Sequence, residues 1–172
     1  MNDRFHGRGP ADEPKQNSAS ISTRKGPSPF LRLPGELRNE IYKLALHEDE
    51  GLYYVNTSLD KPILAMQKAS SEAYNQLKFV NRQLHSETAG LELRVNKIKF
   101  VPEREGGTAA DQFLHFARIL NPDKANSLTN IVLRGCVGAS HPFPKSLDVM
   151  ESINEFCETD PACRVSYIVL PR

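Results

Sequence analysis

The side chains best able to bind a metal or attack a substrate are three cysteines and five histidines in a chain of 172 residues. Cys136, Cys157 and Cys163 form no C-x-x-C pair and are odd in number, which predicts reduced thiols, buried or partly buried, rather than disulfides. A zinc site would add His141 to them, but spacings of five and six residues do not match compact zinc-binding motifs. We therefore predict no metal site.

Two histidines, His85 and His115, fall on predicted helices without a cysteine or serine at the offset that would suggest nucleophilic catalysis. The tripeptide Gly106-Gly107-Thr108 could hold an anion at a helix start. Because no phosphate-binding glycine motif surrounds it, a turn followed by an N-cap is the simpler interpretation. We predict neither catalytic nor cofactor-binding residues, and a small enzyme of unknown class is the third of three functional hypotheses.

Composition and charge limit the classes of protein that remain. Hydrophobic residues make up 39% of the chain and charged residues 25%, values typical of a soluble globular domain. The formal charge of +1, from 22 basic and 21 acidic residues, supplies no long-range field that would attract nucleic acid or an anionic membrane. The sequence also lacks a membrane-spanning apolar run and a signal-peptide core. We expect a cytoplasmic or nuclear protein.

The strongest local signal is the stretch FLRLPGELRNEIYKLAL at residues 30–46. Leu37, Ile41 and Leu44 recur at helical spacing and predict an amphipathic helix, and Pro34 suits its first turn. A core position for Leu37 and Ile41 is the interpretation that we favour from the pattern. The alternative is that the same apolar face binds a partner.

The flanking segments set the predicted domain organisation. Residues 1–28 form a polar tail that is expected to be disordered, and residues 29–172 form a single α/β domain. A β-prone run predicts a strand at 52–55, whereas residues 63–66 fit either a second strand of a hairpin or one helical turn. An apolar spacing of three and four residues predicts one long helix over 77–95, with Gly90 inside it.

The second half of the chain alternates between strand and helix signals. Strands separated by a crossover helix are most simply parallel, so the rhythm predicts a βαβαβ unit. Its first strand alternates apolar residues with lysines, which predicts one solvent-exposed face. Its last strand is almost entirely apolar, which predicts burial on both faces. The predicted elements are a strand at 96–100, a helix from Thr108 to Leu120, a strand at 128–133, a helix at 147–156 and a strand at 165–170.

Two stretches together, FLRLPGELRNEIYKLAL and FVNRQLHSETAGLELRVNKIKF, resemble the F-box-like domains abundant in filamentous fungi, including the group named for a Glu-x-Arg signature. The resemblance covers residues 30–100 and says little about residues 101–172. The fold class it implies, with the rhythm above, is α+β: an F-box-like N-terminal helix packed on a small mixed sheet. The matching residues are Leu33, Pro34, Glu36, Leu37, Arg38, Ile41 and Tyr42, then Phe79, Val80, Asn81, Arg82, Gln83, Leu84 and Glu87, then Asn96, Ile98 and Phe100.

What the resemblance implies is a protein-interaction adaptor without a cofactor. In complete F-box proteins the N-terminal helices dock on the Skp1 subunit of a cullin-based ubiquitin ligase, and the rest of the chain holds the substrate. The docking residues would be Leu33, Pro34, Leu37 and Ile41. The second hypothesis is a stand-alone protein-binding domain of the same ancestry without a ligase.

Charged and polar motif positions suggest how the two motif helices are held together. Arg38 could pair with Glu87, and Arg82 could pair with Glu36 or Glu40; either pair would fix helix orientation more than it would add net stability. The alternative is that these charges are simply solvated. Asn96 opens the motif strand and completes the predicted structural set.

Overall fold

A computed structural model describes residues 28–56, 62–102, 107–136 and 147–170 of the chain. The predictions for the tail at 1–27, for the turn at 103–106 and for His141 lie outside these residues. Contacts divide the chain into two units, Met1–Arg32 and Leu33–Arg172. The described part of the first unit is a short 3-10 helix, Pro29–Arg32.

The second unit contains five strands and six α-helices in its described residues. A 3-10 turn, Leu77–Phe79, precedes α2. In chain order the elements are α1 Gly35–Ala45, β1 Leu52–Val55, β2 Ile63–Ala65, α2 Arg82–Thr88, α3 Leu91–Val95, β3 Lys97–Phe100, α4 Ala109–Ile119, α5 Pro122–Ala125, β4 Asn130–Cys136, α6 Leu147–Thr159 and β5 Arg164–Leu170. Within these ranges no helix is long and apolar enough to cross a membrane.

The five strands form one mixed sheet in the order β2-β1-β3-β4-β5. β1 and β2 pair antiparallel, so the ambiguous residues after Pro62 form the second strand of a hairpin. The pairs β1 with β3, β3 with β4 and β4 with β5 are parallel. The predicted α+β class and the parallel βαβαβ rhythm are therefore confirmed.

One face of this sheet carries the hydrophobic core, with α4 and α6 packed against it. Phe100 lies at the centre of an aromatic cluster, with its ring centroid 5.1 Å from that of Tyr54 and 5.6 Å from those of Phe113 and Phe116. Phe156 of α6 meets Phe113 edge to face at 5.2 Å. These distances are typical of favourable aromatic pairs, so the cluster joins the sheet to both helices.

Helix α4 begins where the sequence places it. The Thr108 side chain accepts a hydrogen bond from the Asp111 amide at 3.2 Å, and the Asp111 carboxylate accepts one from the Thr108 amide at 2.8 Å. This reciprocal arrangement is a capping box, which satisfies two donors that a helix start leaves unpaired. The turn and N-cap interpretation of Gly107-Thr108 is confirmed.

The prediction of a single helix over residues 77–95 is wrong. The chain breaks there into the 3-10 turn, α2 and α3. The Asn81 side chain accepts a hydrogen bond from the Leu84 amide at 2.9 Å and so starts α2, and Gly90 takes a left-handed φ of 84° between α2 and α3. Apolar periodicity continues across the break, which is why the pattern alone suggested one helix.

Two expectations about strand faces are also wrong. Lys99, predicted on a wet face, is buried: its Nζ lies 3.7 Å from a Glu50 carboxylate oxygen and 5.0 Å from the centroid of the Tyr53 ring. β5, predicted to be buried on both faces, is the last strand of the sheet, and Ile168 on it is exposed. Arg164 and Ser166 are exposed with it and alternate with half-buried Val165 and Tyr167, so one face of β5 is open to solvent.

Gly51 controls the entry into β1. Helix α1 ends at Ala45, and Gly51 takes a left-handed φ of 78° immediately before β1. A Cβ at this position would lie 2.5 Å from the Lys97 carbonyl oxygen. Glycine is therefore required here both for its backbone conformation and for the close approach of β3.

Candidate protein-docking site

The face of α1 that packs on the domain is not its most hydrophobic face. Arg38, Tyr42 and Leu46 follow one another at four-residue spacing, so they lie on one side of the helix. Tyr42 and Leu46 are buried, and the Arg38 side chain is largely covered. Two of these three side chains are polar, so hydrogen bonds attach the helix together with the buried Tyr42 ring and Leu46.

The apolar residues of α1 face solvent instead. Leu37 is 53% exposed, Ile41 41% and Leu44 79%, and Ala45 is exposed beside them. We call these four residues the α1 stripe. The expectation that Leu37 and Ile41 belong to the core is wrong, because the helix turns Arg38 and Tyr42 towards α2 and so directs the stripe away from the domain. Of the other two docking candidates, Leu33 is half-buried and Pro34 exposed.

Glu87 of α2 is the acceptor that holds α1 in this orientation. Arg38 donates to it through Nε at 3.0 Å and through Nη2 at 2.6 Å, so the ion pair suggested by the sequence is present. The Tyr42 hydroxyl donates to the same carboxylate at 2.6 Å, and Gln83 Nε2 donates at 3.0 Å. We call Arg38, Tyr42, Gln83 and Glu87 the Glu87 clamp. A bidentate arginine contact with two further donors fixes both helices in one geometry.

The clamp changes the protonation behaviour of its members. The hydrogen bonds from Arg38, then those from Tyr42 and Gln83, lower the pKa of Glu87 to about 2. Burial raises the pKa of Tyr42, and its hydrogen bond to Glu87 raises it further. Glu87 therefore stays ionised and Tyr42 stays a donor across the physiological range.

Because the pKa of Glu87 is lower in the folded than in the unfolded chain, the clamp's stabilisation is complete above about pH 4.5 and is lost as the pH falls towards 2. We expect Glu87→Gln to lower the urea midpoint at pH 6. The difference in urea midpoint between this variant and wild type should then decrease steadily as the pH is lowered to 2.5. Urea unfolding followed by circular dichroism measures both. Glu40→Gln, which changes an exposed carboxylate of α1, is the control, and its urea midpoint should follow that of wild type at every pH. If the difference in urea midpoint between Glu87→Gln and wild type did not change with pH, the lowered pKa of Glu87 would be contradicted.

Asn96 ties the end of α1 to the end of α3. Its Nδ2 donates to the Leu46 carbonyl at 2.6 Å and to the Glu92 carbonyl at 3.1 Å. Its Oδ1 accepts from the Glu48 amide at 2.7 Å. The residue is buried, and its side chain satisfies backbone groups that a helix end would otherwise leave unpaired.

The other predicted charged position, Arg82, does not join the site. Arg82 is exposed at the start of α2, and within the described part of the chain it forms no ion pair with Glu36 or Glu40. Glu40 pairs with Lys43 on its own helix instead. The sequence reasoning missed the role of Tyr42, although its spacing of four from Arg38 was a usable signal.

A groove of about 480 Å³ runs beside the stripe, between α1 and the segment formed by α2 and α3. Leu37 and Leu91 supply its apolar surface, and charged side chains surround them. Those charged residues are Glu36, Glu40, Lys43, Glu87 and Arg94. Protein-binding surfaces commonly combine an apolar centre with a polar rim, and the stripe and the groove have this combination.

The residues that could have supplied other chemistry lie apart from this surface. Cys157 is half-buried and Cys163 is buried, both as free thiols, as predicted; burial raises the pKa of Cys163 to about 12. His85 Nδ1 lies 3.0 Å from the Lys78 carbonyl oxygen, and His115 Nδ1 lies 3.4 Å from the Tyr54 hydroxyl. In the described ranges no three metal-binding side chains cluster.

Comparison of the chain with protein-family models, with curated proteins and with solved structures found no match. Three features of the domain remain as indications of function: the α1 stripe, the Glu87 clamp and the groove. These three features share one surface, formed by α1 and the segment of α2 and α3.

Proposed function

We propose that this protein is a non-enzymatic, F-box-like adaptor that binds a protein partner through the α1 stripe, and that the partner is the Skp1 subunit of a cullin-based ubiquitin ligase. The observation that carries the proposal is the exposure of Leu37, Ile41 and Leu44 on one helix face. Contiguous exposed apolar residues rimmed by polar ones mark interaction surfaces on soluble proteins. Leu37 and Ile41 are also docking positions of the F-box-like motif.

The attachment of α1 suits a docking role. A helix held by its apolar face would lose its packing when that face bound a partner. Here the polar face holds the helix, through Glu87 and Asn96, so the stripe is free without any rearrangement. Preorganised surfaces bind more tightly because they lose less conformational freedom on association.

A serine double variant tests the docking surface. Leu37→Ser with Leu44→Ser removes two exposed leucines, so we expect the free energy of unfolding to change by less than about 1 kcal/mol. Binding of purified fungal Skp1, measured by calorimetry, should weaken at least tenfold, since apolar anchors near the centre of an interface dominate affinity. Leu147→Ser is the matched control, because Leu147 is 86% exposed on α6, away from the stripe, and it should bind Skp1 as wild type does.

Two results would contradict the proposal. If wild type does not bind Skp1, the ligase assignment is wrong. If the double variant binds as tightly as wild type, the α1 stripe is not the docking surface.

A stand-alone protein-binding domain is the second candidate, and one observation favours it. After α1 the chain enters β1 through Gly51 rather than continuing into further docking helices, so the docking surface offered by the described residues is one helix with its groove. On this alternative, affinity purification from the source cell recovers a partner that the stripe variant loses, but neither Skp1 nor a cullin.

A further inference from the structure

A second concave site lies elsewhere in the domain, beside β2, α3 and α4. It is a cavity of about 170 Å³ that shares no lining residue with the groove beside the α1 stripe. Its apolar lining includes Leu64, Leu93, Phe116 and Leu120. The volume is below the roughly 300 Å³ at which sites for drug-sized ligands begin, so only a small group fits.

The same lining contains a carboxylate without a counter-ion. Glu92 is only 9% exposed, and Asn75 Nδ2 donates to its Oε2 at 2.8 Å. Within the described residues no lysine, arginine or histidine nitrogen lies within 4.0 Å of the Glu92 carboxylate. Buried carboxylates are normally paired with a cation, and this one faces a cavity instead.

Asn75 adds a buried acceptor that receives no hydrogen bond from a described residue. The residue is 1% exposed and lines the cavity. Its Nδ2 donates to the Thr88 carbonyl at 2.9 Å as well as to Glu92, and this double donation fixes the orientation of the amide. Its Oδ1 is buried and accepts no hydrogen bond within the part of the chain that the structure describes. Orphaned buried acceptors of this kind are rare and call for an explanation.

Two lysines complete the charge pattern of the cavity. Lys78 and Lys124 both line it, and neither amine reaches Glu92. The Lys78 Nζ lies 5.3 Å from the centroid of the Phe79 ring. The cavity therefore combines a carboxylate that forms no ion pair with a described residue, an apolar wall and cations suited to a carbonyl or carboxylate oxygen.

We propose that this cavity binds an α-ammonium group attached to a small apolar side chain, as in leucine or at the N-terminus of a peptide that begins with leucine. An ammonium carries three donors and a positive charge, which match the Glu92 carboxylate. The side chain packs against the leucines and Phe116, and the lysines meet the oxygen atoms of the ligand. This site is independent of docking through the α1 stripe.

Titration of the isotope-labelled full chain with three ligands, followed by NMR, tests this proposal. Leucinamide represents a peptide N-terminus, free leucine adds a carboxylate, and N-acetyl-leucinamide lacks the ammonium. We expect saturable shifts of the Leu64 and Leu93 methyl groups with at least one of the first two ligands, and none with the acetylated one. Tighter binding of leucine would identify the free amino acid as the ligand, and tighter binding of leucinamide a peptide end.

Glu92→Gln supplies the second arm. Glutamine keeps an oxygen acceptor for Asn75 Nδ2 but removes the charge, so binding of the ammonium ligands should weaken at least tenfold. Glu40→Gln, on exposed α1, should bind as wild type does. Saturable binding of N-acetyl-leucinamide, unchanged affinity in Glu92→Gln, or no saturable shift with leucine and leucinamide would each overturn the proposal. The ligand comparison on wild type decides it even if Glu92→Gln does not fold.

Discussion

Replacement of Asn96 by aspartate is expected to lower the free energy of unfolding by about 3 to 5 kcal/mol, the cost of leaving a buried charge without its partners. The Nδ2 group donates to the carbonyl oxygens of Leu46 and Glu92. A carboxylate oxygen in its place would lose both bonds and would face two acceptors in a buried site. Denaturant unfolding at pH 7, followed by circular dichroism, measures the change.

Asn39→Asp is the matched control for this prediction, because Asn39 lies on α1 and is exposed. Its free energy of unfolding should stay within about 0.5 kcal/mol of the wild-type value. A loss below about 1 kcal/mol for Asn96→Asp would show that the two carbonyl contacts contribute little to joining α1 and α3.

Replacement of Phe100 by alanine is expected to destabilise the domain by a similar amount, about 3 to 5 kcal/mol. Phe100 is fully buried and its ring contacts those of Tyr54, Phe113 and Phe116. Alanine leaves a cavity at the point where the sheet meets α4, and close-packed neighbours relax only partly into such a space. The same unfolding experiment reports the loss.

Phe79→Ala provides the comparison, because Phe79 is a phenylalanine of the second motif whose side chain is largely exposed. Its removal should cost less than about 1 kcal/mol. Equal losses for the two variants would mean that Phe100 is not the centre of the core.

Local signals predicted the elements well where the deciding atoms are close in sequence. The capping box needs only Thr108 and Asp111, three residues apart, and the run that forms β1 stands between Gly51 and Asn56. The alternation of strands and crossover helices then fixed the parallel pairing, since a crossover of that length returns the chain in the same direction.

The orientation of α1 could not be predicted in the same way. Hydrophobic periodicity identifies an apolar face, and the ordinary assumption is that this face is buried. In this chain the bidentate contact of Arg38 with Glu87, 49 residues away, decides the orientation. The residue types suggested the ion pair, but not that it would outweigh the stripe as the attachment.

The cavity lined by Glu92 and Asn75 could likewise not be predicted from the sequence. Leu64, Asn75, Glu92 and Phe116 come from four separate segments and carry no shared spacing. Only the break at Gly90, which a periodic pattern conceals, lets α3 take its own direction and bring Glu92 to Asn75. Such a site becomes visible only when the burial and partners of each polar atom are known.

The attachment of α1 separates the residues that maintain its place in the fold from those that the fold leaves exposed. Arg38, Tyr42 and Leu46 hold the helix, whereas Leu37, Ile41 and Leu44 make no comparable contribution to the core. Mutations in the second group can therefore accumulate under selection for a new partner without passing through unfolded intermediates. A library randomised at those three positions should remain largely folded, which makes α1 a surface on which binding specificity can be exchanged.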